Sequence, residues 1–283
     1  MNKIRKAVLP VAGFGTRFLP ATKAIPKEML PIIDKPLIEY AVEEAVDAGI
    51  EEIIFITSHT KVAIENHFDN NFELEEKLAI NNKKEFIPLI NPEKFKNIRF
   101  TYVRQKSQKG LGDAVLHASH LINNEPFAIL LADDLIISEK SCLQQLVDIY
   151  NKNKISVIGV NSVGKNEISR YGVIEPKKNN GNVFISNIVE KPKPEDAPSD
   201  LAVVGRYVLD SKIFDYLKKT QEDSSNEIQL TDAIKLMLSD HKICACEYSG
   251  NKFDCGSKSG YVEATVFMGL RDKSIAQALK KYL

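Results

Sequence analysis

The sequence lacks several features that mark particular classes of protein. It has no tryptophan and only four cysteines among 283 residues, and these cysteines form neither a CxxC pair nor a cysteine–histidine cluster at zinc spacing. We therefore expect reduced, partly buried thiols. No apolar run approaches the roughly 20 residues that cross a bilayer, and the N-terminus shows no signal-peptide pattern. These absences predict a cytoplasmic protein with no membrane partner.

A surplus of either charge is also missing. Lysine and arginine number 38, aspartate and glutamate number 38, and the formal net charge is zero. A protein that binds nucleic acid mainly through its phosphates needs a cationic surface, so we expect no nucleic-acid partner. The hydrophobic share of 43% excludes an acidic disordered chain and is enough to build a sizeable core. Function must therefore depend on local charges.

Apolar β-branched runs alternate with helical patterns through the first 160 residues. Residues 7–11, 52–57, 99–103, 127–131 and 155–160 are typical of buried strands, and 36–48 and 114–122 of helices. Strands that are buried on both faces and joined by helices indicate βαβ crossovers. The pattern predicts an α/β fold with a Rossmann-like, doubly wound, mixed but mostly parallel sheet. Such sheets bind ligands at the carboxyl ends of their strands.

The pattern changes beyond residue 160. Residues 172–174, 183–189 and 202–209 are strand-like, whereas 230–238 and 260–283 have helical patterns. We expect a nucleotide-binding half at 1–160, a smaller β-rich half at 161–255 and a C-terminal helical segment at 256–283. No flexible linker marks residue 160, so these parts are predicted to form a single domain, 1–283. The charged segment 72–80 predicts a solvated helical insertion.

A glycine-rich turn follows the first predicted strand. Gly13 and Gly15 permit close backbone approach, so that successive N–H groups can point at a phosphate, and Arg17 offers a fork for phosphate oxygens. The turn matches neither GxGxxG nor GxxxxGK[ST], and a plain tight turn is the structural alternative. Lys27 and Glu28 lie ten residues further on, between two prolines. A lysine beside such a loop can supply a second cation for a polyphosphate.

Two acidic residues, Asp133 and Asp134, follow the apolar segment 127–131. Adjacent carboxylates repel each other unless they are exposed or bind a cation, and Mg²⁺ is commonly held by one or two carboxylates with phosphates and water. A helix N-cap is the alternative for this pair, and a turn is the alternative for Asp254. Gln105 ends another predicted strand, where its carboxamide can pair with N3–H and a carbonyl of uracil.

Seven segments, in order along nearly the whole chain, resemble the motifs of bacterial sugar-1-phosphate nucleotidylyltransferases. They are residues 12–31, Gln105 with 110–112, and 131–134, 171–174, 189–192, 226–232 and 253–256. The resemblance is greatest to the members that use UTP and glucose 1-phosphate. It implies the nucleotide-diphospho-sugar transferase fold and Mg²⁺-assisted, in-line transfer of a uridylyl group, which gives UDP-glucose and pyrophosphate without a covalent intermediate.

The resemblance also implies roles for residues at the matching positions. The implied catalytic residues are Arg17, Lys27 and Lys191. The implied nucleotide-binding residues are Ala12, Gly13, Gly15, Thr16, Glu28, Gln105 and Gly110. The implied sugar-binding residues are Gly172, Glu190, Gly205 and Glu227, with Arg206 nearby, and the implied metal ligands are Asp133 and Asp254. A homodimer or homotetramer is the implied assembly.

Three other functions stay open at this point. The nearest is a relative that uses dTTP or CTP with glucose 1-phosphate. The second is a glycosyltransferase, but such enzymes usually carry Asp-x-Asp, whereas Asp133 and Asp134 are adjacent. The third is a non-catalytic regulatory relative, which would be expected to lack phosphate-binding or metal-binding residues that this sequence retains.

Overall fold

The computed structural model describes residues 3–179 and 181–282. Within these residues the strands are β1 (Lys6–Pro10), β2 (Pro31–Ile32), β3 (Lys35–Pro36), β4 (Glu52–Thr57), β5 (Arg99–Arg104), β6 (Phe127–Leu130), β7 (Asp134–Ile137), β8 (Ser156–Ser162), β9 (Gly172–Asn179), β10 (Asn182–Glu190), β11 (Leu201–Leu209), β12 (Ile243–Glu247) and β13 (Asn251–Asp254). The helices are α1 (Leu37–Asp47), α2 (Val62–Phe68), α3 (Phe72–Ile80), α4 (Ile87–Ile90), α5 (Gly110–Leu116), α6 (Cys142–Asn153), α7 (Ile213–Leu217), α8 (Leu230–Met237), α9 (Lys258–Arg271) and α10 (Lys273–Leu279).

One mixed sheet runs through both halves of the chain, in the order β5-β4-β1-β6-β11-β8-β12-β10-β9. The strands from β5 to β6 are parallel, whereas β11 is antiparallel to both β6 and β8. The α/β class is confirmed. Because β11 is buried almost along its whole length, it can lie in the middle of the sheet, and strands from both sides of residue 160 share one set of ladders.

Alternate residues of the central strands enter two different cores. In β4, Ile53 and Phe55 pack with residues of α1 and α6 on one face, whereas Ile54 and Ile56 pack with residues of α5, α7 and α8 on the other. All four side chains are fully buried. This two-sided burial is why the strand has an unbroken apolar sequence rather than an alternating one.

A small second sheet brings the C-terminal part of the chain to the main sheet. Strands β7 and β13 pair antiparallel, with Asp254 opposite Asp134. A third apolar cluster, which includes Leu135, Cys255 and Ala264, packs α9 beneath this ribbon. The ribbon was not predicted from the sequence, because its strands are only four residues long.

Two helix predictions had wrong boundaries. The predicted helix 114–122 begins earlier, at Gly110, and ends at Leu116, followed by a 3-10 turn. The predicted helix 260–283 is two helices, because Asp272 accepts hydrogen bonds from the backbone N–H groups of Ser274 and Ile275 and starts α10. Its last residue, 283, lies outside the described residues.

The structure also bears on the charged insertion, the four cysteines and the apolarity of the helices. Helix α3 has no buried residue, as predicted for the charged insertion. All four cysteines are buried and free. Across residues 3–179 and 181–282, no helix combines the length and apolarity needed to cross a bilayer.

Candidate active site

A cleft of about 410 Å³ lies at the carboxyl ends of the parallel strands. Most residues to which the sequence analysis gave a role line it, namely Ala12, Gly13, Lys27, Glu28, Gln105, Gly110, Asp133, Gly172, Glu190, Lys191, Gly205 and Glu227. The predicted residues outside the lining are Gly15, Thr16, Arg17 and Asp254. Of these, Arg17 and Asp254 meet at Gly256 beside the cleft.

The loop after β1 positions Lys27. Gly15 has a φ of 67°, and a β-carbon there would lie 3.1 Å from the β-carbon of Lys27. Thr22 donates a 2.7 Å hydrogen bond to the carbonyl of Gly15. A β-carbon on Gly13, by contrast, would meet nothing within 4 Å. Gly15 therefore allows Lys27 to pack against the backbone of the loop, whereas Gly13 leaves open space beside the loop.

Lys27 and Asp133 form a close ion pair in the cleft, with 2.6 Å between Nζ and Oδ2. Burial opposes the charge of Lys27, but the Asp133 and Glu28 carboxylates outweigh it and hold the lysine pKa above its ordinary value. Burial likewise opposes the charge of Asp133, but Lys27 and hydrogen bonding hold the pKa of this carboxyl below its ordinary value. Both groups are therefore charged near neutral pH.

Asp133 and Asp254 share a space that only glycine leaves open. A β-carbon on Gly256 would lie 2.8 Å from Oδ2 of Asp133 and 3.0 Å from Oδ1 of Asp254. Two carboxylates on one small space suit a hard divalent cation, which takes its other ligands from phosphate and water. Within residues 3–179 and 181–282, no group of three acidic, histidine or cysteine side chains forms a closed metal site. The residues thus fit a cation that phosphates help to hold.

Asp134 has different partners from its neighbour. Its carboxylate lies 3.1 Å from Nζ of Lys252. A β-carbon on Gly205 would lie only 2.5 Å from its Oδ2, and the positive φ of Gly205, 68°, falls where the register of β11 shifts. Burial raises the pKa of Asp134 to about 6, with Asp133 adding to the shift and Lys252 opposing it. Gly205 therefore makes room for this carboxylate.

Arg206 lies beneath the acidic loop, residues 131–134, rather than in the sugar pocket, where the resemblance had placed it. Its guanidinium is 1% exposed and binds Glu44 in a bidentate pair. It also donates to the carbonyls of Leu131 and Asp134, at 2.9 and 2.7 Å. The arginine points inward because these carbonyls and Glu44 all face the core side of the loop. It fixes the backbone that carries Asp133.

The predicted base-binding residues are held by tight contacts. Gln105 is 4% exposed and donates a 2.6 Å hydrogen bond from Nε2 to Asp113. Gly110 has a φ of 91°, and a β-carbon there would lie only 2.8 Å from the carbonyl oxygen of Ile228. That space, which was predicted from the sequence to admit a base edge, is bounded by the main chain of Ile228. Gln108, which was not identified from the sequence, donates to the carbonyl of Ala12.

Glu28 lines the cleft but its carboxylate turns inward. Its Oε2 accepts a 2.9 Å bond from Nζ of Lys61, and both side chains are at most 3% exposed. Lys61 was not identified from the sequence. It follows β4 by four residues, and the rule that sites lie at the carboxyl ends of parallel strands was the signal that could have found it.

The part of the cleft that was predicted to bind the sugar is built across β9 and β10. Gly172 lies opposite Glu190, and a β-carbon on Gly172 would be 3.3 Å from Oε2 of Glu190 and 3.1 Å from Oγ1 of Thr231. Lys191 has an unusual positive φ of 43° and pairs with Glu190 at 3.1 Å. Strained backbone of this kind concentrates at functional sites. Glu227 accepts from Gln229 at 3.0 Å.

Known proteins are similar to this chain over nearly its whole length. A family model described as nucleotidyl transferase matches residues 6–269. A Staphylococcus epidermidis protein named UTP–glucose-1-phosphate uridylyltransferase is 50% identical over 285 positions, which cover 100% of this chain and 98% of that protein.

Solved structures give the same result. UTP-bound UGPase from Acinetobacter baumannii is 42% identical, has a TM-score of 0.90, and covers 99% of this chain and 98% of its own. A UDP-glucose pyrophosphorylase complexed with UDP-glucose is 45% identical, has a TM-score of 0.84, and covers 95% and 100%. The similarity therefore extends over both halves of the chain.

Proposed function

This chain belongs to the nucleotidyl transferase family, and we propose that it transfers a uridylyl group from UTP to glucose 1-phosphate. The products are UDP-glucose and pyrophosphate. The similar proteins named above carry this activity in their names, and two solved structures were obtained with UTP and with UDP-glucose. The observation that carries the proposal is one cleft that is lined by Lys27, Asp133, Glu190 and Lys191, with Arg17 and Asp254 beside it at Gly256.

In the proposed reaction, an oxygen of the sugar phosphate attacks the α-phosphorus of UTP in line. A P–O bond forms there while the α-phosphorus–oxygen bond to pyrophosphate breaks, and the leaving pyrophosphate keeps the electron pair. A phosphate monoester is already largely deprotonated near pH 7, so no general base is needed. The protein contributes positioning and charge neutralisation.

Three cations divide the phosphate charge between them. Arg17 and Lys27 lie at the carboxylate end of the cleft and are proposed to stabilise charge that builds on pyrophosphate. Lys191 lies at the sugar end, with a side chain that is 54% exposed, and is proposed to hold the attacking phosphate against the α-phosphate. A preorganised cation acts most strongly where the charge develops in the transition state.

The carboxylates beside Gly256 define the proposed metal site. Asp133 and Asp254 would hold a divalent cation, Mg²⁺, which when bound neutralises phosphate oxygens and fixes their direction. The short contact of Asp133 with Lys27 keeps this carboxylate ionised and aimed at the cleft. Asp134 is left out of the ligand set because its carboxylate lies beside Gly205 and Lys252, whereas Asp133 and Asp254 share the space beside Gly256.

The remaining assignments concern binding. We propose that uracil is recognised by Gln105, by Gly110 and by the backbone of Ala12 and Gly13. The loop after β1 is proposed to bind phosphate, with support from Gly15, Thr16 and Glu28. Gly172, Glu190, Gly205 and Glu227 are proposed to bind glucose. Glu190 is well suited to this role, because its carboxylate faces the bare backbone of Gly172 and can accept hydrogen bonds from sugar hydroxyls.

The proposal also covers organisation and assembly. We expect one domain, since strands from both sides of residue 160 share a sheet. We also expect a homodimer or homotetramer, with α9, which exposes Val262 and Leu270, as the candidate contact surface. Light scattering coupled to size-exclusion chromatography measures the mass of the assembly, and a monomer would contradict this expectation.

One initial-rate assay tests the function. Pyrophosphate release is measured with glucose 1-phosphate and each of UTP, dTTP, CTP and ATP, with and without Mg²⁺. We expect UTP to be preferred by at least about tenfold, as hydrogen-bonded recognition permits, and the rate to depend on both glucose 1-phosphate and Mg²⁺. The matched control is Asp133→Ala, which should remain folded and lose the Mg²⁺-dependent rate. Faster turnover with dTTP or CTP would favour the sister activity, and no pyrophosphate release would contradict the proposal.

A further inference from the structure

Arg170 binds one of the two carboxylates beside Gly256. It ends the 3-10 turn Ile168–Arg170 just before β9 and lines the cleft. Its Nη2 donates to Oδ2 of Asp254, while the other oxygen of Asp254 accepts from the backbone N–H of Gly256 at 3.0 Å. Both oxygens of this carboxylate therefore already have donors.

Lys27 binds the other carboxylate beside Gly256, that of Asp133. Its Nζ lies 2.6 Å from Oδ2 of Asp133, so the two negative charges beside Gly256 face two positive ones. Charge-assisted pairs of this type are among the stronger hydrogen bonds of proteins. A divalent cation that binds between the carboxylates must compete with both side chains.

Arg170 is better placed to leave than Lys27. Its side chain is 40% exposed, against 23% for Lys27. It lies between two openings, the main cleft and a neighbouring hollow of about 260 Å³ that is lined by Asp254 and the start of α9. Lys27, by contrast, is also attracted by Glu28 within the same loop. The guanidinium can therefore turn into the cleft, where Lys191 also lies.

We infer that Arg170 is a substrate-responsive gate on the cation site. In the ligand-free protein it neutralises Asp254 and weakens the binding of a divalent cation. When the substrates bind, it releases Asp254 and donates to the phosphate of glucose 1-phosphate beside Lys191. This inference rests on the proposed function, because it takes the cation and the sugar phosphate from that proposal. It adds a fourth phosphate-binding cation, which the sequence analysis did not identify.

The test measures Mn²⁺ affinity by electron paramagnetic resonance of the free ion, without and with UTP. Arg170→Gln removes the competing charge and should bind Mn²⁺ at least about fivefold more tightly than the parent protein in the absence of nucleotide. Lys165→Gln is the matched control, since it removes one positive charge from the same exposed loop and should leave the affinity unchanged. Arg170→Gln/Asp254→Asn should bind Mn²⁺ more weakly than the parent protein, because Asp254 is itself a proposed ligand, and an undiminished gain would show that Arg170 does not act through this carboxylate.

A kinetic measurement tests the second half of the inference. Arg170→Gln should raise KM for glucose 1-phosphate by at least about tenfold, and Arg170→Lys should restore part of it, because lysine keeps the charge without the fork. Equal Mn²⁺ affinity of Arg170→Gln and the parent in the absence of nucleotide would overturn the gate. An unchanged KM would overturn the transfer to phosphate. If the parent fails to bind Mn²⁺ even with UTP, the proposed metal site itself is wrong.

Discussion

Two sets of ion pairs, one beneath the cleft and one at it, differ in their access to water. Beneath the cleft, Arg206 pairs with Glu44 and Lys61 pairs with Glu28, and the side chains of these pairs are between 1% and 8% exposed. At the cleft, Lys27 pairs with Asp133, and Arg170 pairs with Asp254. Those side chains are between 20% and 40% exposed.

The difference in exposure to water gives the buried pairs and the partly exposed pairs different roles. A buried charge has no water to replace a lost partner, so removal of one side of a buried pair is strongly destabilising. At the cleft, water, phosphate or a metal ion can take over when a pair opens, and partly exposed pairs contribute little to stability. The buried pairs therefore hold the loops in place, whereas the open pairs are free to exchange partners during a reaction.

The largest expected effect tests the buried pair of Arg206. Arg206→Met leaves Glu44 without its partner and should lower the free energy of unfolding by about 3–5 kcal/mol, as measured by urea denaturation. Arg206→Met/Glu44→Leu should recover much of this loss, because no unpaired charge then stays buried. A decrease of less than about 1 kcal/mol in the single variant would remove the distinction between the two sets.

Lys61 and Lys27 each bind a carboxylate, Glu28 and Asp133 respectively, but only the first pair is fully buried. Lys61→Met should lower the free energy of unfolding by about 3 kcal/mol, because Glu28 is left buried and unpaired. Lys27→Met should lower it by about 1 kcal/mol or less and should instead abolish most turnover. Denaturation curves and initial rates of the two variants provide the measurement. Equal losses of stability would show that Lys27 belongs with the buried set.

Lys191 tests the open set by activity. Lys191→Ala should lower kcat/KM by at least about a hundredfold, or roughly 3 kcal/mol of transition-state stabilisation, with no change in stability. Lys193→Ala, an exposed lysine on the same segment, is the matched control and should keep its turnover. Near-normal turnover of Lys191→Ala would exclude the proposed role.

The smallest expected effect concerns the base. Gln105 is buried like the support pairs, yet it lines the cleft. Gln105→Ala should reduce the preference for UTP over CTP by about tenfold, or 1.4 kcal/mol, measured as a ratio of kcat/KM values. Gln145→Ala, which changes a carboxamide on α6 away from the cleft, should leave the ratio unchanged. An unaltered ratio in Gln105→Ala would argue that Gln105 only supports the loop.

Much of the cleft was predictable because its residues follow strands of one sheet, although the strand before Gln105, β5, lies at the sheet edge and has no buried residue. Gly13, Gln105 and Asp133 each come after an apolar run, and parallel strands bring such ends together. Lys61 follows the same rule, but a lone lysine at the start of a short helix gave no further signal. Arg170 was not identified because its partner is 84 residues away, and nothing local indicates that contact.

The sequence by itself determined the α/β class and the sheet edge at which the cleft lies, and its family resemblance named about half of the residues that line this cleft. The class and the edge follow from local patterns, since two-sided burial produces unbroken apolar strands and turn chemistry selects glycine. Only the tertiary structure decided which charges are buried and which are open. The insertion of β11 placed Arg206 under the acidic loop, and the β7–β13 ribbon brought Asp254 to Asp133. Both arrangements depend on contacts between distant segments, which no local pattern encodes.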